Sequence, residues 1–419
     1  MKIILAYQQK NRDLIYFEYI RDQILKLDKS STVKIIDATK KLDLILESLK
    51  IRPDVIFTIP FKAKFNSIPN YIIKFFYKTR IITFTTEGVF NFNSSKNFVF
   101  GVGNGIHDDN LIDNYIFWGK KTGNIIGKEL LKLKKIKNLD VIKIAGYPRL
   151  EYYNNESDFR SEFFKKYNLQ QFDFIFLFVS GYQMANQNLN SLKKSKAIKK
   201  VQLPYYNNLI EDVRKNRKQF VQTLNDLADN NKNIFFIHKI HPNEKLIDYE
   251  FNSKSNLKIF SDENYNIMDL MKICDFFFHY GSSTVIDSII CKKPSIYFYT
   301  EKTENHFSDF ESVSDVRINL NKLLDFVNDE KFLKIKIKNN QISKRFAENY
   351  FNYFNDKNYH PSKEIAKIIL TNKDIYKIKF FNPYLLFSFC IIIYLILNNL
   401  IIKQPMVLYS LIRNKYLNF

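Results

Sequence analysis

The chain has 419 residues, 46% of them hydrophobic, which allows two or three domains with ordinary cores and excludes disorder as its general state. Its 64 Lys and Arg against 43 Asp and Glu leave a net charge of +21, but the excess is lysine scattered among abundant Ile, Asn, Phe and Tyr. No zinc spacing, ribonucleoprotein signature or arginine-rich block accompanies that charge, so nucleic acid is not an expected partner; Cys274, Cys291 and Cys390 stand apart and form no disulfide framework.

The first apolar run, 3–7, is too short for a signal peptide and reads as a strand. Further short apolar runs at 33–37, 55–58, 81–85, 116–118 and 141–145 alternate with helical patterns at 14–27, 40–49 and 120–133. That alternation predicts a doubly wound α/β domain over 1–160. Gln8-Gln9-Lys10-Asn11 follows the first strand where a dinucleotide fold has its glycines, so no dinucleotide cofactor is expected. Three polar loops fall at strand carboxyl ends: Asn11-Arg12-Asp13, Thr85-Thr86-Glu87-Gly88 and Gly146-Tyr147-Pro148-Arg149. Glu87 is the candidate general base, or else an exposed loop glutamate. Asp13 and Arg149 are candidate substrate contacts, with an interdomain ion pair as the alternative for Arg149 to an anion clamp.

A second α/β domain is expected over 161–330. A helical stretch at 158–167 leads into a strand at 174–179, and Ser180-Gly181-Tyr182 follows as a turn fit for ribose or nucleotide. The polar stretch 186–202 reads as a loop and 207–230 as a helix. The segment 233–298 then reads strand, turn, helix, strand, turn, helix, strand, and two turns hold its polar chemistry. The first spans 238–244, with His238, Lys239, His241, Pro242 and Glu244; the second spans 279–284, with His279, Gly281, Ser282, Ser283 and Thr284. Open parallel sheets bind ligands beyond the carboxyl ends of their strands, and backbone N–H groups with hydroxyls at a helix start suit a phosphate. Ser282 or Ser283 as a simple helix cap is the alternative. Asp287, one helical turn on, is placed to accept from ribose hydroxyls. His238 and His279 read either as substrate contacts or as satisfied core histidines.

Thr86-Glu87-Gly88, Trp118-Gly119, Gly146-Tyr147-Pro148-Arg149 with Tyr152, His241-Pro242-x-Glu244 and Gly281-Ser282-Ser283-Thr284-x-x-Asp287 come in the order seen in bacterial surface carbohydrate biosynthesis proteins. The chain resembles that family over about 1–360. More distantly, its His-Pro and Ser-Ser turns are similar to those of CDP-glycerol glycerophosphotransferases and capsule sialyl- and Kdo-transferases. The resemblance implies two Rossmann-like domains facing a cleft, the GT-B architecture, and a nucleotide-activated donor, with cytidine nucleotides slightly favoured. It gives His241 the donor phosphate or a general-acid role, and gives the phosphates to Ser282, Ser283 and Thr284. Relatives often carry arginine where Lys239 and Ile240 stand, so Lys239 is the candidate replacement charge; Val89 stands where many have glycine. Glu87 would deprotonate the acceptor, giving inverting displacement without a metal, since no Asp-x-Asp loop is present. The alternatives are a nucleotide-sugar 2-epimerase and a catalytically silent partner of a polysaccharide assembly complex.

The segment 331–353 reads as a basic amphipathic helix, part of a 331–375 return to the first domain. The tail, 376–419, holds an apolar stretch at 383–402 with lysines at 377, 379 and 403. Its uninterrupted part, 384–397, is shorter than a spanning helix needs, so spanning, interfacial and buried forms stay open. The expected partners are therefore a membrane and a glycan or lipid-linked acceptor, and the expected location is the cytoplasmic face of a bacterial inner membrane.

Overall fold

A computed structural model describes residues 1–59, 64–85, 111–154, 158–186, 203–242, 244, 249, 251–252, 254–261, 264–300, 313–335 and 359–371. Glu87 with its loop, the stretch 187–202 and the 376–419 tail lie outside the described residues. The described chain divides into two compact units, with the divide between Ala145 and Gly146 and with 362–371 belonging to the first unit.

The first unit is a six-stranded parallel sheet of β1 (Lys2–Tyr7), β2 (Thr32–Asp37), β3 (Val55–Thr58), β4 (Arg80–Phe84), β5 (Asn114–Phe117) and β6 (Ile142–Ile144), in the order β2-β1-β3-β4-β5-β6. Ile3, Ile4, Leu5 and Ala6 are fully buried, which is why β1 is a continuous apolar run and not an alternating one. Helices α1 (Lys10–Leu27), α2 (Lys41–Ile51), α3 (Lys64–Tyr77) and α4 (Lys120–Lys132) join the strands. The sequence reading gave no helix where α3 stands, because Pro69 interrupts the pattern from inside it. A last helix, Pro361–Leu370, buries Ile365, Ala366 and Ile369. Arg80, at the start of β4, donates from Nη2 to the Ile368 carbonyl at 2.9 Å and from Nη1 to the carbonyls of Ile369 and Thr371 at 3.3 and 2.5 Å. A strand arginine thus caps the carboxyl end of that helix. Among the described residues no helix is long and apolar enough to cross a membrane.

The second unit is also a six-stranded parallel sheet: β7 (Phe174–Val179), β8 (Ile234–Lys239), β9 (Leu257–Phe260), β10 (Phe276–His279), β11 (Ser295–Tyr299) and β12 (Val316–Asn319), in the order β12-β11-β10-β7-β8-β9. Numbered from its own first strand the order is 3-2-1-4-5-6, so the switch point lies between β7 and β10. The helices are α5 (Arg149–Asn154), α6 (Phe159–Tyr167), α7 (Leu203–Asn230), α8 (Ile267–Ile273), α9 (Val285–Ile290) and α10 (Leu323–Asn328). Its core is built of phenylalanine: Phe178 stacks on Phe278 at 4.4 Å, and Phe220 on Phe298 at 5.4 Å.

Three local readings are corrected. Strand β8 continues through His238 to Lys239, and β10 ends at His279, so these residues belong to strands and not to turns. Strand β9, short and half-polar, was not anticipated. The expected 331–353 helix does not begin at 331, where Lys331–Lys334 is one 3-10 turn and Ile335 is extended, and its remainder, 336–353, lies outside the described residues.

Candidate functional site

The hydrogen-bonded neighbours β10, β7 and β8 end side by side, and their carboxyl ends carry the polar turns of the second unit. Ser180 and Gly181 follow β7, Ile240 and His241 follow β8, and Tyr280, Gly281 and Ser282 follow β10. The sequence segments around 180 and 282 therefore flank the switch point of one sheet, the place where this topology opens a crevice, and the segment around 241 ends the next strand beside them.

Glu244 organises the first two turns. Its Oε2 accepts from the Ser180 hydroxyl at 2.6 Å, from the Tyr249 hydroxyl at 2.7 Å and from the His241 backbone N–H at 3.0 Å. The Glu244 N–H in turn donates to the His241 carbonyl at 2.8 Å, which closes the His-Pro-x-Glu segment into a reverse turn. Glu244 is buried, while His241 is half-buried and Pro242 exposed, so the carboxylate is scaffold and the histidine is presented. Burial and the Glu244 charge push the Tyr249 hydroxyl above its ordinary range and keep it a donor. Glu244 and Tyr249 were not assigned a site role from sequence. The spacing of Glu244 three residues after His241 is the signal for its part, and Tyr249 has none.

The third turn is built from β10 outward. Gly281 has φ +66, a left-handed conformation that a side chain disfavours. The Thr284 N–H donates to Ser282 Oγ at 3.2 Å, and the Ser282 hydroxyl donates to Thr284 Oγ1 at 2.9 Å. The Ser282 N–H turns inward to His279 Nδ1 at 3.3 Å. Part of the turn's donor set is therefore spent on its own shape, and Ser283 is its exposed member. Ser282 braces the turn ahead of the helix, whose N-cap, Thr284, makes no side-chain cap hydrogen bond, and neither Ser282 nor Ser283 stands at the capping position.

The other sequence candidates are placed as follows. His238 is 0% exposed and ringed by Phe220, Tyr249 and Phe251 at centroid distances of 5.0 to 5.5 Å; burial drives its pKa down to about 3. It is a neutral core histidine. His279 is likewise fully buried, with its pKa lowered to about 3 by burial. Lys239 is buried, with Nζ 3.5 Å from the Ile240 carbonyl. Asp287 is 1% exposed and accepts from Arg149 Nη1 at 2.7 Å, a buried ion pair made wholly within the second unit. Burial raises the Asp287 pKa, opposed by Arg149 and by the Tyr153 and Tyr147 hydroxyls. The arginine therefore takes up the acceptor that the sequence reading offered to ribose. Asp13, in the first unit, is fully buried and accepts from the Gln9 N–H at 2.8 Å and from Arg12 Nε at 2.6 Å, which holds the turn from β1 into α1. Among the described residues no three His, Cys, Asp or Glu side chains come together as a metal site.

No protein-family model and no curated protein matches the sequence. Solved structures do match. A UDP-GlcNAc 2-epimerase from Methanocaldococcus jannaschii is 15% identical, covering 88% of this chain and 99% of its own, with a TM-score of 0.53. The wall teichoic acid polymerase TagF, as a histidine-to-asparagine variant soaked with CDPG, is 12% identical, covering 88% of each chain, with a TM-score of 0.55. UDP-GlcNAc 2-epimerase from Neisseria meningitidis, bound to UDP-GlcNAc, is 14% identical, covering 89% of this chain and 100% of its own, with a TM-score of 0.52. At such identities the likeness establishes the fold: two parallel-sheet α/β domains of the GT-B type, in keeping with the distant resemblance carried by the motifs.

Proposed function

We propose that this chain is a transferase that uses a nucleotide-activated donor to build a surface polysaccharide or lipopolysaccharide precursor. The observation that carries the reading is the alignment of the Ser180, His241 and Ser283 turns at the ends of three adjacent strands beside the switch point of the second unit, with Glu244 tying the first two together. The donor's diphosphate lies against Ser283 and Thr284, and its ribose lies beside Ser180 and Gly181. His241 meets the charge that builds on the leaving nucleotide, as hydrogen bond donor or general acid. Glu87 is the residue proposed to deprotonate the acceptor hydroxyl, giving a single displacement with inversion. A CDP- or CMP-linked donor is slightly favoured, on the motif resemblance and on the CDPG soaked into a polymerase of the same fold. The apolar tail and its flanking lysines are proposed to hold the enzyme at the cytoplasmic face of the membrane, beside a lipid-linked or glycan acceptor.

A second reading, nucleotide-sugar 2-epimerase, is favoured by one finding: two of the solved proteins with this fold are UDP-GlcNAc 2-epimerases. Against it, the described second unit presents His241 at its surface while His238 and His279 are enclosed, which leaves few groups to converge on one sugar ring. The deciding experiment incubates the full chain with labelled CDP- and UDP-activated donors and bacterial membranes. Label passing into lipid or polymer, with loss of the transfer in His241→Ala, supports the transferase. Isomerised donor without transfer supports the epimerase, and an unchanged donor refutes both.

A further inference from the structure

His279 has both ring nitrogens engaged and no surface, an odd arrangement for a residue at the end of a strand that feeds a binding turn. Its Nε2 lies 2.9 Å from Ser314 Oγ, and its Nδ1 lies 3.3 Å from the Ser282 backbone nitrogen. We propose that His279 is a positioning residue that never touches substrate: anchored at Nε2 by Ser314, it holds the Ser282 N–H at Nδ1 and so fixes the donor-binding turn 281–284. The inference rests on the reading that this turn takes the donor's diphosphate.

The geometry assigns the tautomer. A backbone N–H can only donate, so Nδ1 is the acceptor and the ring proton sits on Nε2, donated to the Ser314 hydroxyl. A protonated ring would lose the bond to Ser282, and burial keeps the ring neutral at any ordinary pH. The ring cannot tilt freely, because it lies nearly parallel to Phe277 at 5.3 Å and packs on Tyr297 at 5.6 Å. The anchor is itself fixed. Asp315, next to Ser314, accepts from the Ser295 N–H and hydroxyl at 2.8 and 2.9 Å and donates its own N–H to the Ser295 carbonyl at 3.0 Å. A chain of bonds thus runs from the start of β11 through Ser314 and His279 to Ser282. The last residue it reaches is also the one whose hydroxyl caps Thr284. With Gly281 at φ +66 the turn has backbone freedom to lose, and His279 is the side chain that removes it.

Two substitutions separate the two ring contacts. In His279→Asn the amide oxygen stands near Nδ1 and keeps an acceptor for Ser282, whereas His279→Gln reaches toward Ser314 and abandons Ser282. In calorimetric titrations of the full chain with CMP, CDP, UDP and GDP, His279→Asn is expected to bind within about twofold of the wild type. His279→Gln should bind about 5- to 10-fold more weakly, the worth of one buried hydrogen bond, although both variants lower the melting temperature of the unliganded protein alike. Equal affinities in the two variants would overturn the positioning role. A wild type that binds none of CMP, CDP, UDP and GDP refutes the donor-site reading and the role with it. If Ser283→Ala loses binding while His279→Gln keeps it, the role alone falls. A measurement that needs no variant to fold is the 15N spectrum of histidine-labelled wild-type protein: His279 should show an unprotonated Nδ1 and a protonated Nε2 from pH 5 to 9, and the opposite tautomer would overturn the proposal.

Discussion

Replacing Arg149 by alanine leaves the Asp287 carboxylate buried without its cation. The pair is 12% and 1% exposed at its two side chains and 2.7 Å long, so solvent cannot take over the role of the guanidinium. Removing one partner of such a pair costs about 3–5 kcal/mol, which in a unit of this size lowers Tm by roughly 6–20 °C. The loss should depend on pH. Burial already raises the Asp287 pKa in the folded state, and removal of Arg149 raises it further. The folded variant then holds a proton that the unfolded chain has released, so the penalty is complete above the folded pKa and shrinks as pH falls through it. Scanning calorimetry of the full chain at pH 8 and pH 5 reads both effects. The double variant Arg149→Met with Asp287→Leu, which removes both charges, should recover most of the stability at pH 8. An Arg149→Ala protein that melts within about 2 °C of the wild type at pH 8 would show that the ion pair does not hold the second unit together.

Three further outcomes follow from the same geometry. Glu244→Gln removes the charged acceptor shared by Ser180, Tyr249 and the His241 N–H, and should cost about 1.5–3 kcal/mol in urea unfolding while weakening nucleotide binding. Arg80→Ala should free the helix Pro361–Leu370 ahead of the rest of the first unit, seen as faster amide exchange confined to that helix and to β4. His238→Phe should make the protein less acid-sensitive. The folded pKa lies near 3 against 6.5 unfolded, so the unfolded state binds more protons between these values and stability falls with pH, by about 2 kcal/mol at pH 5 for this one histidine. Urea midpoints of the variant and the wild type at pH 7.5 and 5 measure the difference.

The fold was legible where burial is two-sided. Runs such as Ile3 to Ala6 or Phe174 to Val179 stay apolar throughout because helices cover both sheet faces, and their alternation with amphipathic segments gives a doubly wound architecture. Helix α3 was not legible because Pro69 breaks the local pattern that tertiary packing restores. In the site, the positions of the polar turns follow from strand ends, and their adjacency follows from the strand order. The state of individual residues does not. His238 and His279 look like turn residues until the strands are seen to run on to enclose them, since a histidine closing an aromatic run carries no sign of which way its ring faces. The partnership of Arg149 with Asp287 spans 138 residues and has no sequence signal, so Asp287 was offered to ribose, while Arg149 was read as an anion clamp or as one half of an ion pair whose partner could not be named. Glu244 was visible as spacing and not as the hub that joins two turns.

The claim on which the rest depends is that the second unit holds a nucleotide at the ends of β7, β8 and β10. Its most direct test is the melting temperature of the full chain with CMP, CDP, UDP and GDP, repeated with His241→Ala and Ser283→Ala. A nucleotide at ~100 times its dissociation constant stabilises the folded state by about 2.7 kcal/mol. The account predicts that one base raises the melting temperature and that each substitution reduces the rise. A chain that none of the four stabilises, or that the two variants bind as well as the wild type does, would contradict it.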